Sequence, residues 1–215
     1  MNERMKKSGV FLSLYAIFVA VMVVIVSVNS KADLQLWMTS HNSPFADAFF
    51  HYYTYIGDWI PFAVAGILLF WSFRAAGFIV VSQLVSGMFS RLIKTLWNEP
   101  RPLLYFKEHY PTIQLHQVTG EHINMIRSFP SGHTITAFAF FLALTYFTKN
   151  RTWQVLYFFL AVLVGFSRIY LQQHFAIDVL VGSLVGVLVT MGCKYLIDKF
   201  PIKWIDNSVF SLLKK

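Results

Sequence analysis

Apolar residues occur in long runs along this chain, and short segments rich in charges and prolines separate them. A bilayer core of about 30 Å is crossed by roughly 20 apolar helical residues, and six runs approach that length. They cover residues 10–29, 57–73, 75–93, 133–148, 152–167 and 177–197. Because lipid offers no hydrogen-bond partner to an open strand edge, the runs predict helices. We therefore expect an all-α, polytopic membrane protein, a bundle of six transmembrane helices forming a single domain over residues 1–215.

The composition supports a membrane location. The chain is 56% hydrophobic and 13% charged, whereas soluble domains carry about 25% charged residues. Its single cysteine, Cys193, lies in an apolar run and has no partner for an intrachain disulfide. Residues 30–56 mix aromatic and polar side chains, which suits a helix at the membrane interface. Residues 94–132 form a long connection without clear periodicity, and long connections are often functional.

The net charge of +8 could indicate a nucleic-acid partner. In a chain with long apolar runs, we interpret it instead as setting the orientation of the protein in the bilayer. Basic residues gather near both ends of the chain, including Arg4, Lys6, Lys203 and Lys214. The positive-inside rule therefore predicts a multi-pass cell-membrane protein with both termini in the cytoplasm. The first apolar run resembles the start of a signal peptide, but it is long and no small-residue cleavage site follows it. We interpret it as a retained anchor.

Polar residues that could take part in catalysis or binding cluster at the ends of the apolar runs. His174 and Asp178 are four residues apart at the start of the last predicted helix, so they share one helical face. A carboxylate bound to one imidazole nitrogen leaves the other nitrogen free as nucleophile or base. Taken alone, the pair is equally compatible with an ordinary histidine at the membrane surface beside an acidic helix start.

Two further clusters could bind an anion. Ser131 and Gly132 can present backbone N–H groups at a helix start, and His133 can donate a proton; Ser131 also suits a simple helix cap. Lys94 and Arg101 are cations near a predicted membrane surface. With Arg168 they make three cations near two histidines, which the snorkelling of lysine and arginine side chains explains poorly. Under the predicted orientation, all three clusters lie at the outer membrane face.

The three clusters together resemble the signature of the type 2 phosphatidic acid phosphatase family. The matching segments are Lys94-x6-Arg101-Pro102, Pro130-Ser131-Gly132-His133 and Ser167-Arg168-x5-His174-x3-Asp178. The resemblance implies a phosphohistidine formed on His174, with Asp178 orienting it and His133 protonating the leaving group. It implies phosphate binding by the remaining motif residues: Lys94, Arg101, Ser131, Gly132 and Arg168. It also implies that no metal or other cofactor is needed.

The expected function is therefore an integral membrane phosphatase acting on a lipid phosphate or diphosphate, with no nucleic-acid partner. Undecaprenyl diphosphate is the preferred substrate; phosphatidylglycerol phosphate, phosphatidic acid and lipid A are alternatives. The oligomeric state stays open. A proton-coupled transporter, an intramembrane protease and a catalytically silent relative fit the clusters less well. Five other histidines match no compact zinc motif; they are His41, His51, His109, His116 and His122.

Overall fold

The computed structural model describes residues 8–121, 124–199 and 208–213, and the regular elements of this part of the chain are helical. They are α1 (Gly9–Val28), α2 (Lys31–Ser40), α3 (Pro44–Tyr53), a short 3-10 helix (Thr54–Gly57), α4 (Ile60–Leu68), α5 (Phe73–Leu96), α6 (Pro102–His109), α7 (Gly132–Thr145), α8 (Arg151–Tyr170), α9 (Ala176–Lys199) and α10 (Val209–Leu213). His122 and several basic residues used to predict the orientation lie outside the described residues: Arg4, Lys6, Lys7, Lys203, Lys214 and Lys215.

Four of these helices are long and apolar enough to cross a membrane: α1, α5, α8 and α9. The all-helical membrane fold is thereby confirmed. The run at 133–148 corresponds to α7, which has 14 residues and is about 21 Å long at 1.5 Å per residue. The run at 57–73 contains only the nine-residue α4. The count of six spanning helices therefore stays a prediction.

The shortness of α4 has a local cause. Pro61 lies in its first turn, where a missing N–H is tolerated, and proline is disfavoured further inside a helix. The helix therefore starts near Ile60, after the separate 3-10 turn. Its end is close to Ser72, whose hydroxyl accepts a hydrogen bond from the Ala75 amide at 3.2 Å and so begins α5.

Helix α7 is the centre of the bundle. It packs against α5, α8 and α9, and its buried residues lie on all sides of the helix. A helix that is apolar all round belongs in a core and not at a lipid-facing surface. Because α7 is enclosed by spanning helices, its length need not match the bilayer, and its N-terminus is fixed relative to three neighbours.

The Gly182-x-x-x-Gly186 segment allows α9 to approach α7 closely, as the sequence indicates for packing. A Cβ atom added at Gly182 would lie 2.8 Å from the Ser131 carbonyl oxygen, and one at Gly186 would collide with the Ile135 carbonyl oxygen. The obstacles are backbone atoms, which cannot move aside as a side-chain end can. This contact fixes the start of α7 against the first turns of α9.

Two segments outside the bundle core, residues 30–56 and 94–132, lie near the start of α7. Residues 30–56 form α2, α3 and the beginning of the 3-10 helix. The 94–132 connection contains α6 and closes on itself, because the Arg101 amide donates to the Met125 carbonyl at 2.8 Å and the Ser128 amide donates to the Glu99 carbonyl at 3.0 Å. These two bonds place Arg101 and Ser128 side by side.

The close packing of α9 on α7 gives a stability prediction. Gly186→Ala should lower the free energy of unfolding by about 1–3 kcal/mol, the usual cost of overpacking. Gly192→Ala on the same helix is the control, since nothing lies within 4 Å of a Cβ there, and its higher helix propensity should leave stability equal or slightly raised. Unfolding in detergent, followed by circular dichroism, measures both. Equal stabilities of the two variants would contradict the packing contact.

Candidate active site

The ends of four helices and two connections meet around one cavity of about 330 Å³. Six of the eight predicted site residues line it directly; they are Lys94, Arg101, Gly132, His133, Arg168 and His174. The other two, Ser131 and Asp178, are buried next to lining residues. The structure therefore brings together residues that are far apart in the sequence, at one end of the helix bundle.

His174 lies in the connection between α8 and α9 and is only 2% exposed. Its Nδ1 atom is 3.3 Å from Oδ2 of Asp178. The same carboxylate oxygen accepts hydrogen bonds from the Phe175 amide, at 3.0 Å, and from the Ser128 hydroxyl. With a proton on Nδ1 held by the carboxylate, Nε2 of His174 keeps its lone pair for a reaction.

Ser128 is a site residue that the sequence analysis missed. It is fully buried, its hydroxyl binds Asp178, and the same oxygen lies 3.5 Å from Nδ1 of His174. It precedes the second motif by two residues, and a serine in a loop carries no signal that distinguishes it from a turn residue. Its partners become visible only when the 94–132 connection is folded.

The environment keeps the His174 imidazole neutral. Burial, and then the positive charges of Arg101, Lys94 and Arg168, hold the pKa of His174 well below its usual range. A neutral imidazole is the nucleophilic form. The surroundings that would attract an anion therefore also keep His174 in the neutral form.

Neutral hydrogen-bond acceptors hold all three cations. Lys94 donates to the Arg127 carbonyl at 2.6 Å. Arg101 donates through Nε to the Ile126 carbonyl at 3.1 Å and through Nη1 to Oε1 of Gln173 at 2.6 Å. Arg168 donates through Nη1 to the Thr54 hydroxyl at 2.6 Å, and its buried Nε has no partner among the described residues. Because these acceptors are uncharged, they position the cations without neutralising them.

The N-terminus of α7 completes this wall. Ser131 caps the helix, with its hydroxyl accepting from the Thr134 hydroxyl at 2.8 Å and, more weakly, from the Thr134 amide at 3.4 Å. The Gly132 and His133 amides are the first two of the helix and have no intrahelical acceptor. Both residues line the cavity. Ser131 thus shapes the helix start, while Gly132 and His133 face the cavity.

One part of the cavity wall comes from residues outside the three motifs. His51, Thr54, Tyr55, Glu121 and Asn124 line it, and none was predicted to bind substrate. His51 and Glu121 form a pair, with Nδ1 and Oε1 2.9 Å apart. Only the folded 94–132 connection brings Glu121 next to α3, so no sequence pattern could reveal this wall.

Of the four remaining histidines that the structure describes, two bind carboxylates. Besides His51, His116 contacts both oxygens of Asp47 at 3.0 Å, and Asp47 also accepts from the Tyr170 hydroxyl at 2.6 Å. His41 and His109 each contact a backbone carbonyl on their own helical turn. Within the described residues, no group of three or more histidine, cysteine, aspartate or glutamate side chains is placed to hold a metal ion.

The site thus defines a membrane-embedded helix bundle with a cationic cavity and a buried histidine at one end. Residues 74–201 match the PAP2 superfamily, and the chain belongs to that family. A bacitracin transport permease protein BcrC of Bacillus licheniformis is 28% identical over 133 residues, 59% of this chain. An undecaprenyl-diphosphatase BcrC of Bacillus subtilis is 35% identical over 98 residues, 46% of this chain.

These matches cover 61% and 45% of the two relatives, so the chain aligns with only part of each. A solved structure of Aquifex aeolicus LpxE gives a broader match. It superposes with a TM-score of 0.66 at 25% identity, over 76% of this chain and 93% of that one. The helical architecture is therefore shared over most of the molecule.

The depressed pKa of His174 predicts a pH-dependent stability. Below about pH 6.5 an unfolded histidine binds a proton, whereas buried His174 stays neutral, so the unfolded chain binds more protons and stability falls as the pH falls. Thermal unfolding in detergent should therefore show a smaller loss of stability between about pH 7.5 and about pH 5 for His174→Asn than for the unaltered protein. An equal or larger loss in the variant would contradict a neutral buried His174.

Proposed function

We propose that this protein is a membrane phosphatase that removes a phosphate group from a lipid phosphate or diphosphate. The observation that carries the proposal is the buried pair of His174 and Asp178 at the floor of a cavity with three cations. An imidazole nucleophile needs a carboxylate to orient it, and a phosphoryl group needs charge neutralisation and positioning more than any other help. The cavity supplies both within one enclosed space.

The proposed reaction has two displacements. Nε2 of His174 attacks phosphorus and forms an N–P bond, while the bond from phosphorus to the lipid oxygen breaks. That oxygen takes a proton from His133, whose protonated form is favoured by the negative charge of the bound phosphate. A water molecule then attacks phosphorus and gives a proton to His133, and the N–P bond breaks to release inorganic phosphate. Asp178, held by Ser128, keeps the Nδ1 proton in place and stabilises the positive imidazole that forms.

The phosphoryl oxygens are proposed to bind Lys94, Arg101 and Arg168 together with the Gly132 and His133 amides. Arg101 and Arg168 offer planar guanidinium groups that suit phosphate oxygens, whereas Lys94 acts as a point charge. Three cations can provide the charge compensation that Mg²⁺ provides in many phosphoryl-transfer enzymes. We therefore propose a metal-independent reaction.

Undecaprenyl diphosphate is the first candidate substrate. The support is the name of the Bacillus subtilis relative, an undecaprenyl-diphosphatase, over less than half of this chain. The cavity contacts described above bind phosphate oxygens and do not select a lipid chain. Phosphatidylglycerol phosphate, phosphatidic acid and lipid A phosphates therefore belong in the same substrate panel.

A transporter is the second candidate, because the Bacillus licheniformis relative is named a transport permease. A proton relay would place ionisable side chains along the interior of several spans. The buried polar side chains of α5 at mid-depth are instead Ser82, Gln83 and Ser86, which do not ionise at physiological pH. Activity in detergent separates the two functions, because hydrolysis needs no closed compartment and transport does.

The nucleophile assignment gives the central test. In detergent with EDTA, the unaltered protein should release phosphate from at least one lipid of the panel, and His174→Ala should lose at least about 10³-fold in turnover because the nitrogen that forms the N–P bond is removed. His116→Ala is the matched control, since His116 contacts Asp47 outside the cavity, and it should retain most activity. Full turnover by His174→Ala would refute the nucleophile. A strict requirement for added metal would refute the metal-independent reaction.

We also propose that the site faces the periplasmic or extracellular side, with both termini in the cytoplasm. The prediction uses single cysteines in a Cys193→Ser background. Thr112 and Lys149 are exposed and lie in the connections before and after α7, so they mark opposite ends of the bundle. A membrane-impermeant maleimide should label Thr112→Cys in intact cells and Lys149→Cys only after permeabilisation. The reverse pattern would place the site in the cytoplasm.

A further inference from the structure

Three hydrogen bonds join α2 to the end of α8 and to the connection that carries His174, and all involve buried amide side chains. Gln35 of α2 is 1% exposed, Gln172 is 2% exposed and Gln173 is 1% exposed. Burying an amide without hydrogen bonds costs several tenths to a few kcal/mol. Amides in such positions are therefore expected to have a structural or functional reason.

Gln35 and Gln172 bind each other directly. Nε2 of Gln35 donates to Oε1 of Gln172 at 2.5 Å and to the Ile169 carbonyl at 3.0 Å. Nε2 of Gln172 donates back to the Thr39 hydroxyl at 3.0 Å, one helical turn further along α2. The opposite orientation of the Gln35 amide would place its oxygen against two other oxygens, so these contacts fix the orientation.

Gln172, which these hydrogen bonds hold, has an unusual backbone conformation. Gln172 has φ of 57°, in the left-handed region that residues with a Cβ rarely adopt and that persists where the surroundings enforce it. This turn reverses the chain after α8, so that the Gln173 and His174 amides both donate to the Arg168 carbonyl at 3.0 and 3.1 Å. The conformation of Gln172 thus determines the position of His174.

The next residue, Gln173, connects this turn to the Arg101 side chain. Oε1 of Gln173 accepts from Nη1 of Arg101 at 2.6 Å, and its carbonyl accepts from the same atom at 3.3 Å. A shift of this turn would therefore move both the His174 imidazole and the Arg101 guanidinium. Gln35 lies outside the three motifs, Gln172 and Gln173 occupy unspecified positions of the third motif, and α2 contributes no residue to the cavity wall.

We infer that Gln35, Thr39 and Gln172 are positioning residues, which hold the turn before His174 in the geometry needed for attack on phosphorus. The inference rests on the proposed phosphatase function. It assigns to α2, which lies outside the bundle core, the role of holding the turn before His174 in place. Its members act through His174 and Arg101 and do not contact substrate.

The test uses Gln35→Leu, Gln172→Asn and the double variant. Leucine fills the space of Gln35 without an amide, and asparagine tolerates a left-handed backbone but is too short to reach Gln35. Met38→Leu is the matched control, because Met38 is buried on the same helix and packs in an apolar cluster. Should Gln35→Leu fail to fold, Gln172→Asn tests the same contact from the other side.

Each single variant should lower kcat by roughly 10-fold, because small displacements of a reacting group are costly. KM should change by less than about 3-fold, since Lys94 and Arg168 still bind phosphate. The double variant should lose less than the product of the two single losses, because both changes break the shared contact between Gln35 and Gln172. Met38→Leu should keep the kcat of the unaltered protein. Unchanged kcat in both single variants, or losses that multiply in the double variant, would overturn the inference.

Hydrogen–deuterium exchange provides a measurement that does not need activity. Amides of residues 172–175 should exchange faster in Gln35→Leu and Gln172→Asn than in Met38→Leu, while those of α7 stay protected. Equal exchange in all variants would overturn the inference that α2 holds the turn before His174. An unaltered protein that hydrolyses no lipid phosphate would instead refute the proposed function, and the exchange result would still decide whether α2 holds the turn.

Discussion

Three cations gathered in one place, none of them hydrogen-bonded to a carboxylate within the described residues, are the constraint on which the rest of this structure depends. Lys94, Arg101 and Arg168 repel one another, and burial makes each charge costly. Pairing each with a carboxylate would be the simple remedy, but it would cancel the attraction for an anion. The protein instead surrounds the cations with backbone carbonyls, a hydroxyl and an amide oxygen. These dipoles lower the cost of burial and leave the net charge in place.

This solution requires an accurate scaffold, because a dipole helps only at short range and in the right direction. The acceptors come from three different parts of the chain: the 3-10 helix for Arg168, the end of the 94–132 connection for Lys94, and the turn after α8 for Arg101. Helix α7 sets the position of all three, since α9 packs against its first turns through Gly182. Core packing and electrostatics are therefore coupled at the start of α7, where the amides of Gly132 and His133 face the same cavity.

The sequence predicts the parts of this arrangement that depend on local pattern. Long apolar runs indicate the spanning helices, and the polar residues at their ends indicate the cavity, because side chains at the ends of antiparallel helices share a surface. The sequence does not predict Ser128, Thr54 or Gln35. Each has its role through a partner that is distant in the chain, such as Thr54 with Arg168, and each is of a common polar type. The length of α4 was also missed, although Pro61 is a local signal for its start.

The family match covers only some of the residues that form the site. The match begins at residue 74, and within it lie all the residues proposed to react with or bind the phosphoryl group. The residues before it still reach the site: Thr54 holds Arg168, His51 and Tyr55 form part of the cavity wall, and Gln35 binds the turn before His174. A phosphate group is the same on every lipid, so its binding residues have little freedom to differ. His51 and Tyr55 bind none of the three cations and have no such restriction, and differences in lipid preference among related proteins are therefore expected to originate at that part of the wall.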